Sequence, residues 1–230
     1  LTKSTADQLL QKNDILRGWI SGDFSARLIV DDYLASSAQG RLKGEKLNFP
    51  AFAGLDQIES FSMHADGNRI HVEPATALLN ENKLYAKGDV TFSKEGFLVN
   101  LDVTAGGIEW SEIERITDLA KHRASKSKQL KRLQVIGKIK LDADFLAYKR
   151  YTLQPFQADI QLTTNGVEVL ITKAELCGIS VPGSLKTFGQ KLDIEFEPRA
   201  RNEQLKPTIL CLWGDKGLMV GEYSFTADIE

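Results

Sequence analysis

Between Gln134 and Gly183 apolar and polar residues alternate with a period of two. Val135, Gly137, Ile139, Leu141, Ala143 and Phe145 alternate with Ile136, Lys138, Lys140, Asp142 and Asp144. That spacing predicts a strand with one dry and one wet face, because successive side chains point to opposite sides of a sheet. Phe156, Ala158, Ile160 and Leu162 then alternate with Gln157, Asp159, Gln161 and Thr163, and Asn165-Gly166 follows. Asn and Gly tolerate the positive φ of a two-residue hairpin loop. With those two as the loop, Leu162 faces Val169 and Ile160 faces Ile171, so the apolar faces agree across the hairpin.

The same grammar recurs upstream. Phe24, Ala26, Leu28 and Val30 form one alternating run, and Ala38, Gly40, Leu42 and Gly44 another. Pro50 and Gly54 interrupt the stretch from Leu47 to Leu55. Phe61, Met63 and Ala65 lead into Asp66-Gly67-Asn68, and Ile70 and Val72 lead out, a second hairpin. Leu84 to Phe92 turns at Ser93-Lys94-Glu95-Gly96 into Phe97 to Val103. Strands this close in sequence imply a meander.

Two stretches read as helices. Residues 4–13 are capped by Ser4 or Thr5, and a helix from Ser111 has a capping box with Glu114 and an apolar stripe of Ile113, Ile116, Leu119 and Ala120. Downstream, Leu192, Ile194 and Phe196 alternate with acids, Pro198 to Pro207 reads as a polar connection, and Leu210-Cys211-Leu212-Trp213 reads as a covered strand. LRGWISGDFSARL (16–28) resembles LQVIGKIKLDADFL (133–146), and FSMHADGNRIHVEPATALL (61–79) resembles ADIQLTTNGVEVLITKAEL (158–176). This weak duplication divides the chain into 1–110 and 111–230, each a helix followed by a β-meander, and such repeats stack. The predicted fold class is mainly β: a curled antiparallel meander sheet, an open half-barrel or groove, in two helix-plus-strands repeat units.

Composition narrows the function classes. The 230 residues carry a net charge of −2, so there is no global basic footprint for nucleic acid. No apolar run approaches the roughly 20 residues that span a bilayer. The chain opens on Leu1 inside a helix-like stretch and reads as a fragment of a longer protein. Cys177 and Cys211 both lie in strand-like stretches, and their even count fits one disulfide or two free thiols.

Candidate chemistry is sparse. His64 and His71 flank the second hairpin. With Gly67-Asn68 as its loop they stand directly opposite each other near Asp66 and Glu73; with Asp66-Gly67 as its loop, His64 faces Arg69 instead. Two imidazoles and a carboxylate suit zinc, but solvated histidines on a sheet face are the commoner case, and no metal ligand is assigned. Lys121, His122, Arg123, Lys126, Lys128, Lys131 and Arg132 form a basic cluster that fits a solvated helix end or anionic headgroups. Ser180, Ser184 and Ser224 have no His or acid partner at a recognisable spacing, and no phosphate loop or nucleophile elbow occurs. No catalytic residue and no cofactor follow. Too few helices are available to cover the dry faces, so the sheet either folds onto itself as a sandwich or curls and leaves an apolar trough, and a trough left open marks a binding surface.

The segment LQVIGKIKLDADFLAYKRYTLQPFQADIQLTTNGVEVLITKAELCGISVPG resembles the C-terminal region of AsmA-like proteins, TamB-related envelope proteins. The resemblance lies in Ala158-Asp159-Ile160-Gln161-Leu162, Asn165-Gly166, and Ala174 to Gly183. SSAQGRLKGEKLNFP and LYAKGDVTFSKEGFLVNLDV read the same way. It implies a non-enzymatic periplasmic segment of a parent anchored in the inner membrane of a Gram-negative bacterium. An apolar β-groove would take phospholipid or another acyl-chain lipid, contributing to lipid transfer between the membranes or to envelope integrity.

The groove residues would be Val135, Ile139, Leu141, Phe145, Phe156, Ile160, Leu162, Val169 and Ile171. An oxidising compartment would favour a Cys177–Cys211 bridge. Expected partners are the lipid and neighbouring repeats of the parent chain, with no nucleic acid. The rival expectation is an assembly module whose sheet edges receive strands of outer-membrane proteins. A third is a sugar-binding sandwich with platforms from Trp19, Trp110 or Trp213, or an enzyme too divergent to read.

Overall fold

The computed structural model describes residues 17–29, 32–48, 57–79, 81–94, 96–115, 134–189, 191–214 and 219–229. Most of the alternating runs become strands, although Leu28, Phe145, Met219 and Gly221 lie beyond the strand ends. The strands are β1 (Arg17–Arg27), β2 (Ser37–Asn48), β3 (Gln57–Gly67), β4 (Arg69–Leu79), β5 (Asn82–Ser93), β6 (Gly96–Ala105) and β7 (Ile108–Glu109). Then follow β8 (Val135–Ala143), β9 (Leu146–Tyr148), β10 (Tyr151–Leu153), β11 (Phe156–Leu162) and β12 (Val167–Leu176). The last are β13 (Ile179–Ser180), β14 (Gly183–Phe188), β15 (Lys191–Phe196), β16 (Arg199–Gln204) and β17 (Glu222–Thr226).

Fourteen of these strands form one sheet, which is not closed into a barrel. Its order is β1-β2-β3-β4-β5-β6-β8-β11-β12, after which it forks. One branch continues through β13, β16 and β17, the other through β14 and β15. β10, β9 and β7 make a separate small sheet.

Three expectations are corrected. First, the meander is not antiparallel throughout. β6 and β8 run parallel, from Phe97↔Val135 to Ala105↔Ala143, and β7 and β9 are also parallel. A parallel pair needs a long crossover, which the connection between Ala105 and Val135 provides. The pairing also joins strands from both sides of the Trp110 division, and two helix-plus-strands repeat units are not confirmed.

Second, Asn165-Gly166 is not a two-residue loop. Leu162 pairs with Val167, Ile160 with Val169 and Ala158 with Ile171, leaving Thr163, Thr164, Asn165 and Gly166 as the loop. The register differs by two, so the dry face is preserved. Thr163 takes over the turn: its amide donates to the Gly166 carbonyl at 2.9 Å, and its Oγ1 accepts from the Gly166 amide at 3.1 Å. Gly166 is required for space rather than for φ, since a Cβ there would sit 1.6 Å from the Thr187 carbonyl oxygen.

Third, Leu210–Trp213 is helical. The strand β16 occupies much of the expected polar connection, and a helix spans Leu205–Trp213, ending on Gly214 in the left-handed region at φ 73°. A short apolar run does not distinguish strand from buried helix, and Pro207 is tolerated because it falls in the first helical turn.

The second hairpin has Gly67-Asn68 as its loop, with Asp66↔Arg69 and His64↔His71 paired. Helical geometry begins at 110, one residue before Ser111. The expected helix at 4–13, the rest of the Ser111 helix, the basic cluster 121–132, and parts of the stretches 47–55, 93–96 and 214–217 lie outside the described residues.

Candidate functional site

The registers place one apolar position of each strand in line across the sheet. Gly22 pairs with Leu42, Leu42 with Met63, Met63 with Val72, Val72 with Gly88, and Gly88 with Leu101. Leu101 continues to Ile139, Ile139 to Ile160, Ile160 to Val169, Val169 to Leu185, and Leu185 to Ile194. Ten steps of roughly 4.8 Å make a band about 48 Å long. The parallel β6–β8 pairing does not interrupt it. Leu42, Met63, Val72, Leu101, Ile139, Ile160, Val169 and Leu185 are all half-buried.

Both margins of the band are covered. At one, Ala38, Ala65 and Phe92 are buried with Phe24, Ile70 and Phe97 against them. The 3-10 turn Tyr33–Ala35 closes this margin, its Tyr33 ring 6.1 Å from Phe97. At the other, Ala105, Ala143, Phe156, Ala158, Ile171 and Ala174 are buried with Ile108 and Leu146 of the small sheet. The band runs between these two clusters.

The nine expected groove residues therefore separate. Ile139, Leu141, Ile160, Leu162 and Val169 are half-buried on the dry face. Phe156 and Ile171 are each only 5% exposed and belong to the covered margin. Val135 is exposed. Phe145 lies beyond the end of β8, and its ring packs against Gly107, where any Cβ would collide with it. Leu42, Met63, Val72, Leu101 and Leu185 join the band although sequence reasoning did not assign them to a site. Their alternation was visible, but only cross-strand register aligns them.

The opposite face is a charge ladder. Lys87 pairs with Asp102, Asp102 with Lys140, and Lys140 with Asp159, so the sign alternates across four strands. Opposite charges directly across a sheet stabilise it. Nearby, Asp89 accepts from Arg69 Nε at 2.9 Å and Nη2 at 2.8 Å, and His71 Nδ1 lies 3.0 Å away. The hydrogen bonds from Arg69, then from His71, hold the Asp89 carboxyl at a pKa of about 2, and the hydrogen bond to Asp89 raises the pKa of Arg69. The Ser62 hydroxyl likewise lowers the Glu73 pKa. His64 and His71 face each other with ring centroids 5.3 Å apart. Among the described residues no group of three His, Cys, Asp or Glu side chains is placed to hold a metal ion.

The cysteines are joined. Cys177 lies in the turn after β12 and Cys211 in the helix, with Cα atoms 5.6 Å apart. Thr208, the buried residue of that helix, places its Oγ1 3.1 Å from the Cys177 carbonyl oxygen and 2.9 Å from Tyr223 Oη. A cleft of about 730 Å³ opens at the fork of the sheet, but Glu168, Lys186, Glu195 and Arg199 share its walls with Phe196 and Ile229. Trp19, Trp110 and Trp213 stand on separate elements, and Trp110 meets Tyr148 edge-on rather than forming a flat platform.

No family model, curated protein or solved structure matches this chain.

Proposed function

We propose that the apolar band binds the acyl chains of a lipid, phospholipid being the expected class, without catalysis. The observation that carries this is the register-continuous row from Leu42 to Leu185, made of half-buried apolar side chains at every strand except β5, where Gly88 stands. Such a face offers no directional contacts, so it discriminates poorly between headgroups. It contributes about 0.8 kcal/mol for each methylene removed from water. An acyl chain is about half as long as the roughly 30 Å hydrocarbon core of a bilayer, so it covers about three strand spacings.

The AsmA-like resemblance extends the proposal. The chain would be a periplasmic segment of an inner-membrane-anchored parent, next to further repeats, moving lipid between membranes or maintaining the envelope. The Cys177–Cys211 bridge supports an oxidising compartment. The rival reading, strand addition at a sheet edge for outer-membrane protein assembly, has one favourable observation: Leu192 and Ile194 of β15 are exposed. Against it, Lys191, Asp193 and Glu195 alternate along the same strand, and charges on an edge discourage added strands.

Native mass spectrometry of the purified protein, followed by lipid extraction, tests the proposal. Ile139 and Ile160 are cross-strand partners in the middle of the band, so Ile139→Asp with Ile160→Lys places opposite charges there as a pair. Co-purifying lipid is expected with the wild type and lost in a variant of unchanged circular dichroism. A lipid-free wild type, under conditions that retain lipid on a known carrier, would refute the reading.

A further inference from the structure

We propose that the tip of the β9–β10 hairpin, with Trp110 beside it, docks on an anionic membrane surface. This rests on the lipid-binding reading and specifies where the lipid is met. Tyr148 pairs with Tyr151, so the hairpin closes on Lys149 and Arg150. At its base, Leu146 belongs to the cluster that covers one margin of the apolar band, and Leu153 packs against it. The residues at its tip are of the opposite character. Tyr148, Lys149 and Arg150 are exposed, as is Trp110, whose ring meets Tyr148 edge-on at 6.1 Å.

The two cations lie over aromatic rings: Lys149 Nζ is 5.1 Å from the Tyr148 centroid, and Arg150 Cζ is 4.9 Å from that of Tyr151. Among the described residues, neither is within ion-pair distance of a carboxylate. The nearby helical turn engages its own acids, Glu112 with Arg115 and Glu114 with Trp110 Nε1.

Arg150 Nη2 also donates to Tyr151 Oη at 2.7 Å, a neutral partner that leaves its charge uncompensated. Tyr and Trp rings favour the headgroup level of a bilayer, and Lys and Arg without a carboxylate partner are drawn to anionic lipid. The tip combines both beside the margin of the band. Lys149 also has φ 55°, a conformation that glycine adopts freely and a lysine does not. Strain retained at an exposed tip points to use of the side chain.

The test is co-sedimentation of the full chain with phosphatidylcholine vesicles, with and without phosphatidylglycerol. Binding is expected only with phosphatidylglycerol. Each cation contributes about fivefold at such a surface, so Lys149→Gln with Arg150→Gln should weaken binding about 30-fold. Lys149→Gly separates the roles: it relieves backbone strain, so the melting temperature should rise while vesicle binding falls about fivefold. Wild-type affinity in the double Gln variant, equal binding to neutral vesicles, or no vesicle binding at all would overturn the proposal. If the wild type ignores vesicles yet carries co-purified lipid, this inference fails and the lipid-binding band survives.

Discussion

Replacing Cys177 and Cys211 together by Ser tests how the C-terminal branch is held. The bridge spans 34 residues of sequence, which include β13, β14, β15 and β16. Closing a loop of that length removes about 13 cal/mol/K of chain entropy from the unfolded state, or about 3.8 kcal/mol at 25 °C. At roughly 2.1 cal/mol/K per residue, unfolding 230 residues carries about 0.5 kcal/mol/K, so the variant should melt about 8 °C lower. Cys177 sits at φ 56°, and Ser is strained there to a similar degree, so backbone strain cancels in the comparison. The helix Leu205–Trp213 should loosen first, because Thr208 is its single buried residue. Differential scanning calorimetry and amide exchange over 205–213 report the two effects. A melting temperature within about 2 °C of wild type, with helix amides equally protected, would mean that the sheet orders this branch without the bridge and that the entropic account is wrong.

Three further outcomes follow from single positions. Gly88 has φ 142°, and a Cβ there would lie 2.1 Å from the Asn100 carbonyl oxygen, so Gly88→Val should cost at least ~2 kcal/mol in a urea titration. Gly67 has φ 64° and open space, so Gly67→Asn should stay within about 0.5 kcal/mol of wild type. The Asp89 carboxyl titrates near 2 in the folded protein against 3.8 ordinarily. A depressed carboxyl stabilises the fold above its ordinary pKa and loses that contribution as pH falls from about 4 to about 2. With Arg69 solvated, the contribution is about 1 kcal/mol, and Asp89→Asn should lack that part of the acid slope in denaturant titrations at pH 5 and pH 2.

Much of the sheet was legible because alternation is a local property. Phe97, Val99, Leu101 and Val103, or Leu84 to Phe92, declare a dry face by their spacing alone, and β6 and β5 follow it. The His64–Gly67–Asn68–His71 hairpin was legible as a pair of registers, and the structure selects the one with His64 opposite His71. The failures lie where local signals are ambiguous. Four apolar residues from Leu210 suit either a strand or a helix, and the direction of β8 relative to β6 is written in no short window. The Asn165-Gly166 pair suggested a register two residues away from the one observed, in which Thr163 and Gly166 hydrogen-bond across the turn.

Residue spacing alone establishes that each strand has one apolar and one polar side, since side-chain direction follows residue parity. Which apolar residues stand together is set by the assembled sheet. Register joins Leu42, Leu101, Ile139 and Leu185 into one half-buried band although they are far apart in the chain. Burial then withdraws Phe156 and Ile171 from that band, because the small sheet packs on the margin where they lie. Pairing between distant strands is a cooperative choice among many alignments of equal local merit, and the buried faces and loop contacts of the whole sheet make that choice.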